Sequence, residues 1–124
     1  MSVDSPNLEG LDSWAFEPRK VDKPWGHELI WAEGDRYVGK VLFIKAGESL
    51  SLQFHRVKEE SWLVQAGRAK LELGSAGDAF RYRPGTVHRI TAIEDTTILE
   101  VSTPELDDVV RLEDRYGRKG TSEP

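Results

Sequence analysis

Short apolar-rich runs recur along the chain, each closed by a glycine or proline turn. Runs with strand character are Glu28–Trp31, Tyr37–Ile44, Leu50–Phe54, Trp62–Gln65, Lys70–Leu73, Ala79–Arg83, His88–Ile93 and Thr96–Thr103. Turn signals stand between them at Lys23-Pro24-Trp25-Gly26, Glu33-Gly34-Asp35, Ala46-Gly47-Glu48, Ala66-Gly67, Gly74 to Gly77, Pro84-Gly85 and Glu94-Asp95. Turns spaced roughly eight to twelve residues apart predict an all-β sandwich or barrel. A weak helical period appears only around Glu105–Val110, where Asp107 or Asp108 is placed to cap a helix start or a loop. In Thr96–Thr103, Thr97, Leu99 and Val101 share one face, and Ile98, Glu100 and Ser102 share the other. A carboxylate on such a strand marks a wall that lines a cavity.

The chain of 124 residues shows no internal repeat and no Gly/Ser linker, so one domain is expected. It is placed at residues 21–118, between a polar N-terminal tail over 1–20 and a frayed end over 119–124. No apolar run approaches the roughly 18 residues of a membrane span, and Met1 to Gly10 has no apolar signal core. There are no cysteines, so neither disulfides nor thiolate ligands are available. A cytoplasmic protein with no membrane partner is expected. The net charge is −5 and the basic residues are scattered, which argues against a nucleic-acid partner. A small anionic ligand needs only a few local Lys or Arg residues and stays open.

Against this background one constellation carries chemistry. Ser51, Gln53 and His55 alternate along one strand and point to one side. Glu60 follows five residues after His55, and a hairpin through Arg56-Val57-Lys58-Glu59 would return it beside that histidine. His88 opens a later strand after Pro84-Gly85. Gln53, His55, Glu60 and His88, converging in a barrel mouth, form an N/O donor set for one divalent metal ion, with Zn, Mn, Fe and Ni all admissible.

These residues also carry a resemblance. The stretch from Gly47 through Gln53, His55 and Glu60 to Gly67 resembles the first motif of the cupin superfamily, with Gln53 where a histidine usually stands. Gly77 through Arg83-Pro84-Gly85-Thr86-Val87-His88 resembles the second, with Arg83 in place of a proline and Ala92 in place of an asparagine. Further pieces are Lys23-Pro24-Trp25-Gly26, Leu50-Ser51-Leu52-Gln53, Glu60-Ser61-Trp62 and the tail from Asp107 to Arg118. Together they resemble the cupin domain of type II mannose-6-phosphate isomerases, over about Lys23 to Arg118. Two differences stand near the ligand set: Lys58 replaces an Arg, and Ser61 replaces a His.

The resemblance implies a single-domain cupin, a double-stranded β-helix or jelly-roll barrel. It implies a metal-dependent aldose–ketose isomerase of a sugar phosphate or other anionic sugar, in carbohydrate metabolism, and a homodimer. In that family the domain commonly follows a GDP-mannose pyrophosphorylase domain, which these 124 residues do not contain, so pyrophosphorylase activity is not expected. Glu100 is the expected proton shuttle, with Lys58 and His27 as further catalytic residues. Each has a plainer reading: an exposed paired carboxylate, a surface charge, and a structural histidine beside Trp25. Arg89 and Arg115 are expected at an anionic substrate group, against a plainer reading as surface charges. Tyr82 is expected at the sugar, against a plainer reading as a core aromatic. Two other functions remain compatible: a metal-dependent cupin oxygenase of a small molecule, and a non-catalytic sugar-binding cupin.

Overall fold

The computed structural model describes residues 2–72 and 79–120. The expected turn Gly74 to Gly77, and Leu73 before it, lie outside the described residues. A 3₁₀ turn (Leu11–Trp14) precedes strands β1 (Arg19–Lys23), β2 (Gly26–Glu33), β3 (Val38–Ile44), β4 (Leu52–Phe54) and β5 (Glu60–Ala66). Then come β6 (Ala69–Glu72), β7 (Ala79–Tyr82), β8 (Arg89–Ala92), β9 (Thr96–Ser102) and β10 (Val110–Glu113). Among the described residues no helix is long and apolar enough to cross a membrane.

One antiparallel sheet of six strands runs in the order β1-β2-β3-β9-β5-β7. Elsewhere β10 pairs with β4, and β6 with β8. Backbone bonds join these two pairs into a second sheet. Leu50 N–H donates to the Ile90 carbonyl at 3.0 Å, and Gln53 and His88 exchange both bonds, at 3.0 and 2.9 Å. The core draws Trp25, Leu42, Ile44, Trp62, Tyr82 and Ile98 from the first sheet's side and Leu50, Ile90 and Ala92 from the second. The two sheets therefore face one another across a shared interior, as a jelly roll requires.

Period-two alternation explains which side chains enter. On β9, Thr96, Ile98, Glu100 and Ser102 are buried, and Leu99 and Val101 are exposed. On β3, Val38, Lys40, Leu42 and Ile44 face inward, so a lysine joins an apolar row. On β2, Glu28 and Ile30 are buried between less buried neighbours.

Three expectations are corrected. The link from His55 to Glu60 is no hairpin, because β4 lies in the smaller sheet and β5 in the larger. The chain crosses between sheets there. Glu105–Val110 is not helical; residues 104–109 form turns, and Val110 then enters β10, whose backbone groups bond to β4. At the N-terminal end, Arg19 and Lys20, assigned to the tail, begin β1. That strand is charged, as suits a sheet edge, and β2 supplies its pairing.

Candidate metal centre

His55 lies just past β4 and His88 just before β8, while Glu60 is the first residue of β5. All three are buried, and one ligand atom from each lies within 4.8 Å of the others. Glu60 Oε1 is 3.3 Å from His55 Nε2 and 3.1 Å from His88 Nε2. Each ring is held from behind. His55 Nδ1 contacts the Asp108 carbonyl at 2.5 Å, and His88 Nδ1 contacts the Thr86 carbonyl at 2.8 Å. A carbonyl can only accept, so Nδ1 carries a proton, and each ring turns its Nε2 toward Glu60.

The inward atoms His55 Nε2, His88 Nε2 and Glu60 Oε1 are buried and converge, while Glu60 Oε2 turns to the Lys58 ammonium at 3.0 Å. Donor atoms that converge in a desolvated pocket suit a cation. Two imidazoles and a carboxylate, with both rings oriented by carbonyls, fit a divalent metal ion. Gln53 is buried on the inner side of β4 and lines the same cavity; its Oε1 accepts from Ser51 Oγ at 3.3 Å.

Two further groups of the expected site meet the cluster. Lys58 Nζ lies 3.0 Å from Glu60 Oε2 and 3.5 Å from Glu100 Oε2, with its side chain only 6% exposed. Burial would lower its pKa, but Glu100 and Glu60 outweigh burial and raise it, so Lys58 stays an ammonium. Glu60 shows the converse. Burial would raise its pKa, yet His55, His88 and Lys58 hold it well below the usual carboxylate range. Glu100 differs again: burial first, then the neighbouring Glu60 charge, raise its pKa against the pull of Lys58 and Lys40. The Trp62 indole N–H donates to Glu100 Oε1 at 2.9 Å and fixes its direction. One carboxylate is thus kept ionised beside another that protonates more readily.

The remaining expected residues lie elsewhere. Tyr82 is buried and stacks on His88 at 4.1 Å, so it backs the ligand ring. His27 alternates with buried Glu28, stacks on Phe43 at 4.5 Å and does not line the cavity. Arg89 pairs with Glu113 at 3.3 Å, and Arg115 donates to the Gly47 carbonyl at 2.7 Å; neither lines the cavity. Ser61 also points away, between inward Glu60 and Trp62, so the replacement at this position leaves the cavity wall untouched.

Sequence reasoning missed Lys23, Glu28, Lys40, Arg111 and Arg118, which line the cavity too. For Lys40 a signal existed, since it shares parity with Val38 and Leu42. Asp108 was read as a helix or loop cap; its carboxylate accepts from the backbone N–H groups of Arg56, Val57 and Lys58 at 3.1, 2.7 and 2.8 Å. It therefore shapes the crossing between His55 and Glu60. The cavity volume is about 60 Å³, with Leu106 and Val109 forming part of its wall. That is room for an ion and a few waters.

Comparison with known proteins places this architecture. Residues 13–114 match the family model described as mannose-6-phosphate isomerase C-terminal. The chain belongs to that family. Among relatives of this mannose-6-phosphate isomerase C-terminal domain, mannose-1-phosphate guanylyltransferase of Escherichia coli (strain K12) is 35% identical over 111 residues, covering 81% of this chain and 23% of that protein. Alginate biosynthesis protein AlgA of Pseudomonas aeruginosa is 34% identical over 116 residues, covering 85% of this chain and 24% of that protein. The chain spans about a quarter of the length of these relatives. KdgF from Halomonas sp. superposes with a TM-score of 0.58 at 22% identity, over 72% of this chain and 88% of that one. An RmlC-like cupin from Shewanella frigidimarina gives 0.62 at 15% identity, over 71% and 85%. The barrel is a cupin, as the resemblance implied.

Proposed function

We propose that this domain is a metal-dependent aldose–ketose isomerase of a phosphorylated sugar, of the kind that interconverts mannose 6-phosphate and fructose 6-phosphate. The observation that carries the reading is geometric: Lys58 Nζ lies 3.0 Å from Glu60 Oε2 of the three-donor cluster and 3.5 Å from Glu100 Oε2, which sets a second buried carboxylate beside the donors. Membership of the family supports a sugar phosphate as the substrate class.

His55, His88, Glu60 and the Gln53 amide would hold one divalent ion, with Zn, Mn, Fe and Ni as the candidates. Such an ion, when bound, polarises the sugar carbonyl and stabilises negative charge on the enediol oxygens. The work of the chain's own residues is then proton movement. Glu100 Oε2 would take the proton from C2 and return it to C1, while the hydroxyl proton passes from the C2 oxygen to the C1 oxygen; Trp62 holds Glu100 Oε1 in place. Lys58 keeps Glu60 ionised and offsets charge developing near Glu100. Leu106 and Val109 line the same cavity and would border the bound sugar.

The test is a coupled assay of mannose 6-phosphate conversion by protein loaded in turn with Zn, Mn, Fe and Ni. Turnover with at least one metal, lost on chelation, is expected. Absence of turnover with every metal defeats the assignment. A homodimer belongs to the same reading: Trp31, Leu63, Leu99 and Val101 form an exposed apolar strip on the outer face of the large sheet. Sedimentation of the protein and of Leu99→Asp should give a dimer and a monomer respectively.

A further inference from the structure

Lys58 stands two residues before Glu60, on the crossing between the two sheets. Its backbone N–H donates to the Asp108 carboxylate at 2.8 Å, which fixes where the side chain starts. That side chain is buried, and its ammonium lies 3.0 Å from Glu60 Oε2 and 3.5 Å from Glu100 Oε2. The two oxygens of Glu60 are thereby divided. Oε1 faces the Nε2 atoms of His55 and His88, at 3.3 and 3.1 Å, and Oε2 faces the lysine. Lys40 and Lys23 turn to another carboxylate, Glu28, at 3.0 and 3.9 Å.

Charge decides what the Lys58 contact does. A buried carboxylate is costly unless a cation compensates it. Glu60 and Glu100 share this ammonium, and imidazoles that act as donors add no charge. Two carboxylates and one ammonium give −2 + 1 = −1, so Lys58 supports the site before any divalent ion arrives. An ion of charge +2 turns the group to +1 with the lysine present and to 0 without it. The lysine therefore opposes the ion across a desolvated wall, where charges are weakly screened. It also holds the Glu60 oxygen that a two-oxygen grip on the ion would need.

We propose that Lys58 is an internal counter-ion that stands in for the metal and weakens its binding, leaving the ion held through one oxygen of Glu60 and readily exchanged. This rests on the metal centre described above and not on the sugar reaction. A lysine that served packing alone would, when removed, lower stability and metal affinity together. Removing a counter-ion splits them. Calorimetry of Zn and Mn binding to the full chain at neutral pH reads the difference. Lys58→Met should bind each ion about tenfold or more tighter than the parent, and Lys58→Arg, which keeps the charge, should stay within about threefold of it. Melting temperatures give a second readout. Stripped with EDTA, Lys58→Met should melt below the parent, because Glu60 and Glu100 lose their cation. Saturating Zn should then raise its melting temperature by more than it raises the parent's. Where the stripped variant does not fold, Glu100→Gln and the double variant Glu100→Gln, Lys58→Met make the same comparison with one buried charge fewer. The double variant should bind metal tighter than Glu100→Gln alone.

Equal or weaker metal binding in Lys58→Met overturns the proposal, as does an equal or weaker double variant beside Glu100→Gln. So does a Lys58→Arg protein that binds as tightly as Lys58→Met, since the charge would then be irrelevant. The two readings fail separately. A parent that binds one ion, with a Lys58→Met protein that binds it no better, keeps the metal centre and loses the counter-ion. A parent that binds no divalent ion, with a Lys58→Met protein that binds one, keeps the counter-ion and loses the metal centre of the native chain. Binding in neither protein overturns both.

Discussion

Replacing Asp108 by alanine strikes the joint that positions His55 in the candidate metal centre. Its carboxylate accepts three backbone N–H bonds, from Arg56, Val57 and Lys58, at 3.1, 2.7 and 2.8 Å. Hydrogen bonds to a charged acceptor contribute about 1.5–3 kcal/mol each when dry. Arg56 and Val57 are exposed and water can replace the carboxylate there, whereas Lys58 is buried. The loss is therefore about 2–3 kcal/mol in total rather than three full bonds. For a domain of this size that lowers the melting temperature by about 10 °C. The same residue's carbonyl orients His55, so metal affinity should fall by roughly 10–100-fold as well. Denaturant unfolding and metal calorimetry on Asp108→Ala measure both. A stability change under about 0.5 kcal/mol with unaltered metal affinity would refute the reasoning.

Other consequences are as direct. Burial would raise the Asp108 pKa, but those backbone bonds from Lys58, Val57 and Arg56 prevail and lower it. A depressed carboxyl contributes stability above its unfolded value near 4 and loses it as pH falls through the folded value. The stability gap between wild type and Asp108→Asn should thus be full at pH 6 and shrink in acid denaturation below about pH 4; a gap independent of pH would contradict this. Glu100→Gln should cut isomerisation by about 10²–10⁴-fold while metal content stays constant, read by turnover beside metal analysis. Gly67 has φ +93°, and a Cβ there would sit 2.2 Å from the Asp95 carbonyl oxygen. Gly67→Ala should cost roughly 1–3 kcal/mol in chemical denaturation; a neutral result would mean the turn shifts freely.

Much of the site was legible because strand parity is a strict rule. Gln53 and His55 alternate, and Glu100 shares a face with Ile98 and Ser102, so their common side follows from the sequence and the structure places all three on the cavity wall. Parity also separates residues that look alike: His27 is one position from Glu28, and that step sends it to Phe43 instead of inward. The sequence could not reveal which strands lie in which sheet, and so the crossing from His55 to Glu60 read as a hairpin. β1 and β10 were missed because charged or mixed runs gain strand geometry only from a partner, here β2 and β4. Lys23, Arg111 and Arg118 carry side chains that read as surface charge, and the distant pairing that brings them to the cavity leaves no local pattern. Lys40, set between Val38 and Leu42 on an inward face, was the one readable exception.

The central claim is that His55, Glu60 and His88 share a metal ion. Metal calorimetry and elemental analysis of the purified protein, set beside Glu60→Gln and His88→Ala, test it most directly. The account predicts one ion per chain in the parent protein and at least a hundredfold weaker binding in each variant. Binding unaffected by either substitution, or no stoichiometric binding of any divalent metal, would contradict it.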